Sequence, residues 1–184
     1  RPYVILKGAQ TAEGYIDVAR EGGTPLLIST PLTKQLVHQQ RAENMSIMVG
    51  TRTVLLDNPK LLNTRWSGRH PIRITLDRHG VLSPISNIFS LDSQTIVYAD
   101  NTDWSFILSD LAARNIHSVL VEGGAILLQS ILDSGLYDEV HVEVSKHSMP
   151  CVHGQGISGV AAPHYEFRTS PTIIDGNRIY VEYH

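Results

Sequence analysis

The stretch Val119-Leu120-Val121-Glu122-Gly123-Gly124-Ala125-Ile126-Leu127-Leu128 constrains this chain more than any other. An apolar, β-branched run stops at a carboxylate and two glycines, and an apolar-periodic segment begins at once. Strand, tight turn and helix N-terminus therefore follow one another without a linker. At such a turn, free backbone N–H groups and the positive end of the helix dipole make a seat for an anion, and glycines let a phosphate approach without a Cβ in the way. Glu122 stands at the mouth of that seat. Taken alone, the same residues also describe an ordinary strand-to-helix turn capped by glycine.

Similar transitions recur along the chain. Tyr3-Val4-Ile5-Leu6 reads as a buried strand that ends at Lys7-Gly8-Ala9-Gln10, where small residues leave room for a ligand and Lys7 points to something polar. Residues 16–24 contain Asp17, Arg20, Glu21, Gly22 and Gly23, lack periodicity, and read as a loop. Ser29 or Thr30 before Pro31 starts a helix with the apolar stripe Leu32, Leu36, Val37 and Met45. Arg41 on that helix either reaches a ligand or is a solvated surface arginine. Ser46-Ile47-Met48-Val49 is a second strand and stops at Gly50; beyond it Thr53 and Asp57, four apart, share a face of any helical turn. Asp57-Asn58-Pro59 is equally a turn signal in which the aspartate bonds only its own backbone. Arg65 beside Trp66 has the geometry to clamp a phosphate. Ile72-Arg73-Ile74-Thr75-Leu76-Asp77 alternates as a strand and ends in Asp77-Arg78-His79-Gly80. Ligands of open α/β sheets sit outside the carboxyl ends of strands, so the ends at Lys7, Gly50, Asp77 and Glu122 line one crevice if those strands are parallel neighbours.

Thr95-Ile96-Val97-Tyr98-Ala99 reads as another buried strand, and Trp104, Ile107, Leu108 and Leu111 give residues 103–114 a helical core stripe that ends at Asn115. The helix after the opening motif stops at Ser134-Gly135. Glu139-Val140-His141-Val142-Glu143-Val144, Tyr165-Glu166-Phe167-Arg168 and Arg178-Ile179-Tyr180-Val181-Glu182-Tyr183 alternate, which predicts half-exposed antiparallel strands added to the sheet edge, with residues 145–163 a loop. The two longer strands would suit a dimer interface. The expected fold is one α/β domain over residues 1–184, with a mixed, mostly parallel sheet flanked by helices and antiparallel strands at the C-terminal end. A net charge of -3 without a Lys/Arg cluster argues against a nucleic-acid surface, and no apolar run approaches the ~20 residues that span a bilayer. A small-molecule partner and a cytoplasmic setting follow. Nine histidines include no H-E-x-x-H pattern, and the single cysteine excludes a multi-cysteine zinc site, so no metal is expected. Cys151 lies near His147 and His153, either by accident or as a reactive thiol. The chain begins at Arg1 without a methionine and enters a strand almost immediately, which points to the C-terminal part of a longer polypeptide.

Three pieces stand in order: L-K-G-A-Q-T-A-E-G from Leu6, Q-L-V-H-Q-Q-R-A-E running into I-M-V-G-T-R-T-V-L-L-D-N-P up to Pro59, and V-E-G-G at Val121. Together they resemble the reductase domain of the bifunctional riboflavin-biosynthesis deaminase/reductase, a member of the dihydrofolate-reductase-like superfamily, over essentially the whole chain. The resemblance implies NADPH across the carboxyl strand ends and reduction of the ribosyl group of 5-amino-6-(5-phosphoribosylamino)uracil to the ribityl form. By position, Ala9, Thr53, Asp57, Arg78, Gly123 and the turn from Gly124 through Ser130, with Ala125, Ile126 and Leu127, fall at cofactor contacts. Arg41, Leu61, Arg65 and Glu122 fall at substrate contacts. Arg78 suits the 2′-phosphate that distinguishes NADPH from NADH. Lys7, Asp57 and Glu122 are the candidate catalytic groups: Lys7 and Asp57 as the polar pair near the reacting carbon, Glu122 as a hydrogen-bond acceptor for substrate. Glu13 stands where the family usually has Asp, Pro25 and Leu27 replace its serine and tryptophan, and Arg65 lies one residue beyond the commonest spacing. The companion deaminase needs zinc on histidine and cysteines, so it would lie upstream of Arg1. Competing readings are a relative acting on a 2,5-diamino pyrimidine or folate substrate, and a non-catalytic NADPH-binding module.

Overall fold

The structure, a computed structural model, describes residues 1–20, 24–148 and 158–184. Glu21, Gly22 and Gly23 of the first loop, and the Cys151–His153 pairing considered above, lie outside the described residues. The chain forms β1 (Tyr3–Gln10), β2 (Tyr15–Val18), α1 (Pro31–Glu43), β3 (Ser46–Val49), α2 (Thr51–Asp57), β4 (Ile72–Leu76), β5 (Thr95–Tyr98), α3 (Trp104–Ala113), β6 (Ser118–Val121), α4 (Ala125–Ser134), β7 (Glu139–Val144), β8 (Gly159–Ala161), β9 (Thr172–Ile174) and β10 (Asn177–Tyr183). An eight-stranded sheet runs in the order β5-β4-β3-β6-β1-β7-β10-β9, and β2 pairs with β8 in a small sheet of its own.

The strands from β5 through β7 are parallel, and β10 and β9 continue the sheet antiparallel. β3 and β6 lie in the middle, covered on both faces, which is why Ile47, Met48 and Val49 and then Val119, Leu120 and Val121 read as unbroken apolar runs. One face carries the main core: Val4, Leu6, Met48 and Val121 pack under Ile107 and Leu111 of α3 and Leu128 and Ile131 of α4. The alternation of side chains along β3 sends Ile47 and Val49 to the opposite face, where they meet Val54, Leu61, Leu82 and Ile88.

Several local expectations change. β1 continues to Gln10 because β7 pairs with it as far as Val144, so Lys7 lies within the strand and not at its end. Residues 16–18, which the sequence places in a loop, belong to β2, whose partner β8 lies some 140 positions away in the sequence. β7 is a parallel neighbour of β1 and an interior strand, not an antiparallel edge, because Val140, Val142 and Val144 join the main core. Tyr165 to Arg168 is not a strand; Tyr165 and Phe167 stack instead, and Phe167 stacks on Tyr180 with centroids 4.0 Å apart. β9 was not foreseen, although its signal was present: Asp175 and Gly176 both take positive φ (51° and 85°), the backbone of a tight hairpin turn.

α1 begins as expected, with Thr30 accepting a hydrogen bond from Thr33 N and Pro31 in the first turn. Its inward face is polar, however. Leu32 is 49% exposed and Met45 lies beyond the helix, whereas Thr33 is buried and donates from Oγ1 to Glu143 at 2.6 Å. Glu143, itself buried, also accepts from Ser29 Oγ at 2.5 Å and Asn177 Nδ2 at 2.6 Å, so one carboxylate ties α1, β7 and β10 together.

Arg73 in β4 is fully buried and organises the segment leading to β5. Its guanidinium donates to Ser90 Oγ at 3.0 Å and Ser90 O at 2.5 Å, to Ser93 O, and at 3.4 Å to Lys60 O and Asn87 O. Burial lowers its pKa, against the pull of Asp92. Arg73→Ala removes the donor from buried carbonyls and leaves a hole, and is expected to cost about 3–5 kcal/mol in urea unfolding. Leu91→Ala, at a fully exposed position of the same segment, serves as the control and should change stability by less than ~0.5 kcal/mol.

Candidate functional site

The site forms where β3, β4 and β6 end side by side. Glu122 N extends the β6 ladder to Met48 O at 2.9 Å, and Gly50 N donates to Gly123 O at 3.3 Å, which fixes the turn against the N-terminus of α2. Gly123 and Gly124 take φ of 151° and 83°, and a Cβ on Gly124 would stand 3.3 Å from Thr53 Oγ1. The ridge where Thr53 meets Gly124 separates two cavities. The larger, about 450 Å³, is lined by Gly50, Thr53, Arg78, Trp104, Ile126 and Ser130 among others. The smaller, about 200 Å³, lies between β2 and the Glu122–Gly124 turn and includes Asp17, Arg20 and Asp57.

Glu122 faces α1, where Arg41 grips it with Nε at 2.8 Å from Oε1 and one terminal nitrogen at 2.6 Å from Oε2; the other terminal nitrogen donates to Leu62 O at 3.1 Å. Burial opposes the Arg41 charge, but the field and hydrogen bonds of Glu122 outweigh it and raise the guanidinium pKa. Lys7 follows Leu6, which pairs with Val121, and so stands beside Glu122 across the ladder. Burial lowers the Lys7 pKa; the Glu122 and Glu143 carboxylates resist that shift and Arg41 adds to it.

Of the residues expected at the cofactor, Thr53, Arg78, Gly124, Ala125, Ile126 and Leu127 line the larger cavity. Gly123 and Asp57 line the smaller one. Ala9 sits in β1 opposite Glu143 and lines none of these cavities. Of the residues expected at the substrate, Arg41 and Glu122 are brought together, and Arg65 is exposed close enough to His38 to act on it electrostatically. Leu61 is 5% exposed, takes a left-handed φ of 54° and packs its side chain into the smaller core, so only its main chain is available to a ligand. Of the four strand ends expected to line one crevice, Gly50 and Asp77 line the larger cavity and Glu122 the smaller one beside it, while Lys7 sits further back and lines a separate cavity with residues of α1 and β7. Asp77 is engaged in its own turn, accepting from Val81 N at 2.9 Å and Leu82 N at 3.1 Å.

Asp57 does not bond merely its own backbone: Arg20 donates to it and, through Nε at 2.9 Å, to Asp17. Arg20 carried no role in the sequence, and its only mark there was an aspartate three residues earlier. Trp104, expected as core alone, both packs on the core and lines the larger cavity. Among the described residues no cluster of His, Cys, Asp or Glu could hold a metal, and no helix is long and apolar enough to cross a membrane.

A parallel sheet continued by an antiparallel hairpin, with a cleft across its carboxyl strand ends, defines a dihydrofolate-reductase-like α/β domain. The family model for the RibD C-terminal domain matches residues 2–166, and the chain belongs to that family. It is 32% identical over 170 residues to the riboflavin biosynthesis protein RibD of Corynebacterium ammoniagenes, covering 89% of this chain and 47% of that protein. It is 29% identical over 216 residues to the 2,5-diamino-6-ribosylamino-4(3H)-pyrimidinone 5′-phosphate reductase of Methanothermobacter thermautotrophicus, covering 100% and 98%. A crystal structure of a Thermotoga maritima diaminohydroxyphosphoribosylaminopyrimidine deaminase/5-amino-6-(5-phosphoribosylamino)uracil reductase superposes with a TM-score of 0.78 at 30% identity, over 98% of this chain and 56% of that one. The chain thus spans about half the length of the RibD relative and nearly all of the archaeal reductase.

The glycine turn can be tested directly. Gly124→Ala meets a positive φ and the Thr53 hydroxyl together, and should lose about 1–2 kcal/mol in urea unfolding. His38 supplies a pH test. Its Nδ1 accepts from Thr64 N at 3.1 Å, and burial, with the Arg41 and Arg65 charges, lowers its pKa from 6.5 against the pull of Glu122. The unfolded chain therefore takes up a proton that the folded ring resists. This contribution to stability is complete above about pH 6.5 and is lost as pH falls through the lower folded value. His38→Gln should flatten the melting-temperature profile below about pH 6.5.

Proposed function

We propose that this domain is an NADPH-dependent reductase of riboflavin biosynthesis that converts 5-amino-6-(5-phosphoribosylamino)uracil to its ribitylamino product in the cytoplasm. The observation that carries the reading is the pair of cavities around the Thr53–Gly124 ridge, with Arg78 at the larger and Glu122, held from behind by Arg41, at the smaller. The residues fit the cofactor. Two glycines at positive φ open the α4 N-terminus to a pyrophosphate, and Arg78 offers a guanidinium for a 2′-phosphate. Thr53, Ala125, Ile126 and Leu127 would complete that wall, with Asp57 on the side of the smaller cavity. NADPH supplies a hydride when bound.

The chain's own groups orient the pyrimidine and manage its proton. Glu122, held by Arg41, accepts a hydrogen bond from the substrate; Arg65 and the main chain of Leu61 hold its phosphate side. Glu122 and Asp57 are both gripped by guanidinium groups as acceptors, which leaves Lys7 as the group with a proton to give. Its lowered pKa eases that transfer to the substrate nitrogen or oxygen. A homodimer and a covalent N-terminal deaminase domain, which would give the double activity of the Thermotoga protein, belong to the same proposal. The match along nearly the whole archaeal enzyme favours one second reading, the 2,5-diamino substrate.

Following NADPH absorbance with each pyrimidine and with dihydrofolate tests the reading. Consumption with a phosphoribosylaminopyrimidine only is expected, and the preferred pyrimidine decides between the two reductase readings. Lys7→Met should lower kcat about 100-fold or more, as expected for losing a general acid. A domain that binds NADPH but consumes it with none of these substrates would overturn the proposal in favour of a non-catalytic module.

A further inference from the structure

The smaller cavity has an electrostatic difficulty that the cofactor contacts alone do not resolve. Asp17 of β2 and Asp57 at the end of α2 both face it, beside the glycine turn that would receive a phosphate-bearing ligand. Two uncompensated carboxylates there would repel that ligand across a partly desolvated space. Arg20 stands between them. Its side chain is 7% exposed, with Nε on Asp17 Oδ2 at 2.9 Å and a terminal nitrogen on Asp57 Oδ1. Arg52, which lines both cavities, donates to the Arg20 carbonyl at 3.1 Å and holds that stretch of chain against α2. Asp17 is also fixed from its other oxygen: Oδ1 accepts from Val18 N at 2.9 Å and Leu26 N at 3.0 Å.

We infer that Arg20 is a positioning residue for the cofactor: by pairing with Asp17 and Asp57 together it offsets half of their combined charge, makes the β2 side of the cleft more permissive for the phosphates of NADPH and aims the Asp57 carboxylate. The inference rests on the NADPH reading of the cleft. Arg20 need not touch the cofactor. Its effect is carried by charge, which separates it from a purely mechanical clamp between β2 and α2.

The division of labour between the two oxygens of Asp17 supplies the test. Asp17→Asn keeps the Oδ1 acceptor for Val18 N and Leu26 N, removes the charge that Arg20 offsets, and exchanges the Oδ2 acceptor of Arg20 Nε for an amide NH2, which the glutamine of R20Q/D17N can accept from. The dissociation constant for NADPH is measured by fluorescence on wild type, R20Q, R20K, D17N and the double variant R20Q/D17N, at low and high salt. R20Q should weaken binding about tenfold at low salt and less at high salt, where screening shortens the reach of the two carboxylates. R20K should stay within about threefold of wild type, the double variant should recover most of the loss, and D17N alone should bind about threefold more tightly. Equal binding by R20Q and wild type overturns the inference, as does a loss in R20Q that D17N does not repair. If R20Q does not fold, weaker binding by D17N alone overturns it. Failure of the wild-type chain to bind NADPH overturns the cleft reading itself, an outcome distinct from the others.

Discussion

Arg41 and Glu122 hold each other by two charge-assisted hydrogen bonds of 2.8 and 2.6 Å, with side chains only 16% and 9% exposed. Removing both charges from water is costly, so the pair is better understood as a device for register than as a source of net stability. It ties the last turn of α1 to the residue where β6 becomes the glycine turn. With Glu143 receiving Ser29 and Thr33 at the other end of the helix, it fixes α1 at both ends against the sheet. The same contact orients the Glu122 carboxylate and places a positive charge near Lys7. The polar underside of α1 is thus a consequence of where the helix must sit, above a site and not above a core.

On the opposite face the packing is conventional, with α3 and α4 supplying aliphatic side chains to the alternate positions of β1, β3, β4 and β6. The main apolar layer thus lies behind the strands, while the face in front divides between the smaller apolar core at β3 and the charged groups beneath α1. The turn from Glu122 to Gly124 lies at the border of the two layers. Its glycines approach Thr53 closely, while its glutamate turns toward α1.

The parallel core was legible because buried strands leave unbroken β-branched runs and capped helices carry their own signals at Thr30-Pro31, Asp103 and Gly135. The convergence of Gly50, Asp77 and Glu122 followed from the same pattern. Pairings between distant segments were not legible. β7 alternates like an edge strand, yet Glu143 and His141 face α1 and not water, so period two signalled a polar interface instead of exposure. β2 is only four residues long, too short to announce itself by periodicity, and it exists because β8 reaches it. Arg20 illustrates the limit at the site: an arginine near an aspartate is common, and only the fold brings Asp57, on a separate helix, within its reach. Arg73 sits in an alternating strand as if exposed, and its burial depends on a ring of carbonyls from residues 60–93 that no local pattern marks.

The pairing of Tyr15–Val18 with Gly159–Ala161 also bears on the order of assembly. These two short strands belong to opposite ends of the chain and pair only with each other, whereas the equally distant pairing of β1 with β7 is embedded in the eight-stranded sheet. Closing so long a loop for so few hydrogen bonds is unfavourable until the sheet has already brought the ends close. The wall of the smaller cavity that includes Asp17, Arg20 and Val160 therefore forms last during folding and is the first to open when the protein is stressed. Loss of ligand binding should precede loss of the fold as conditions become harsher, because the cleft depends on the least cooperative pairing in the molecule.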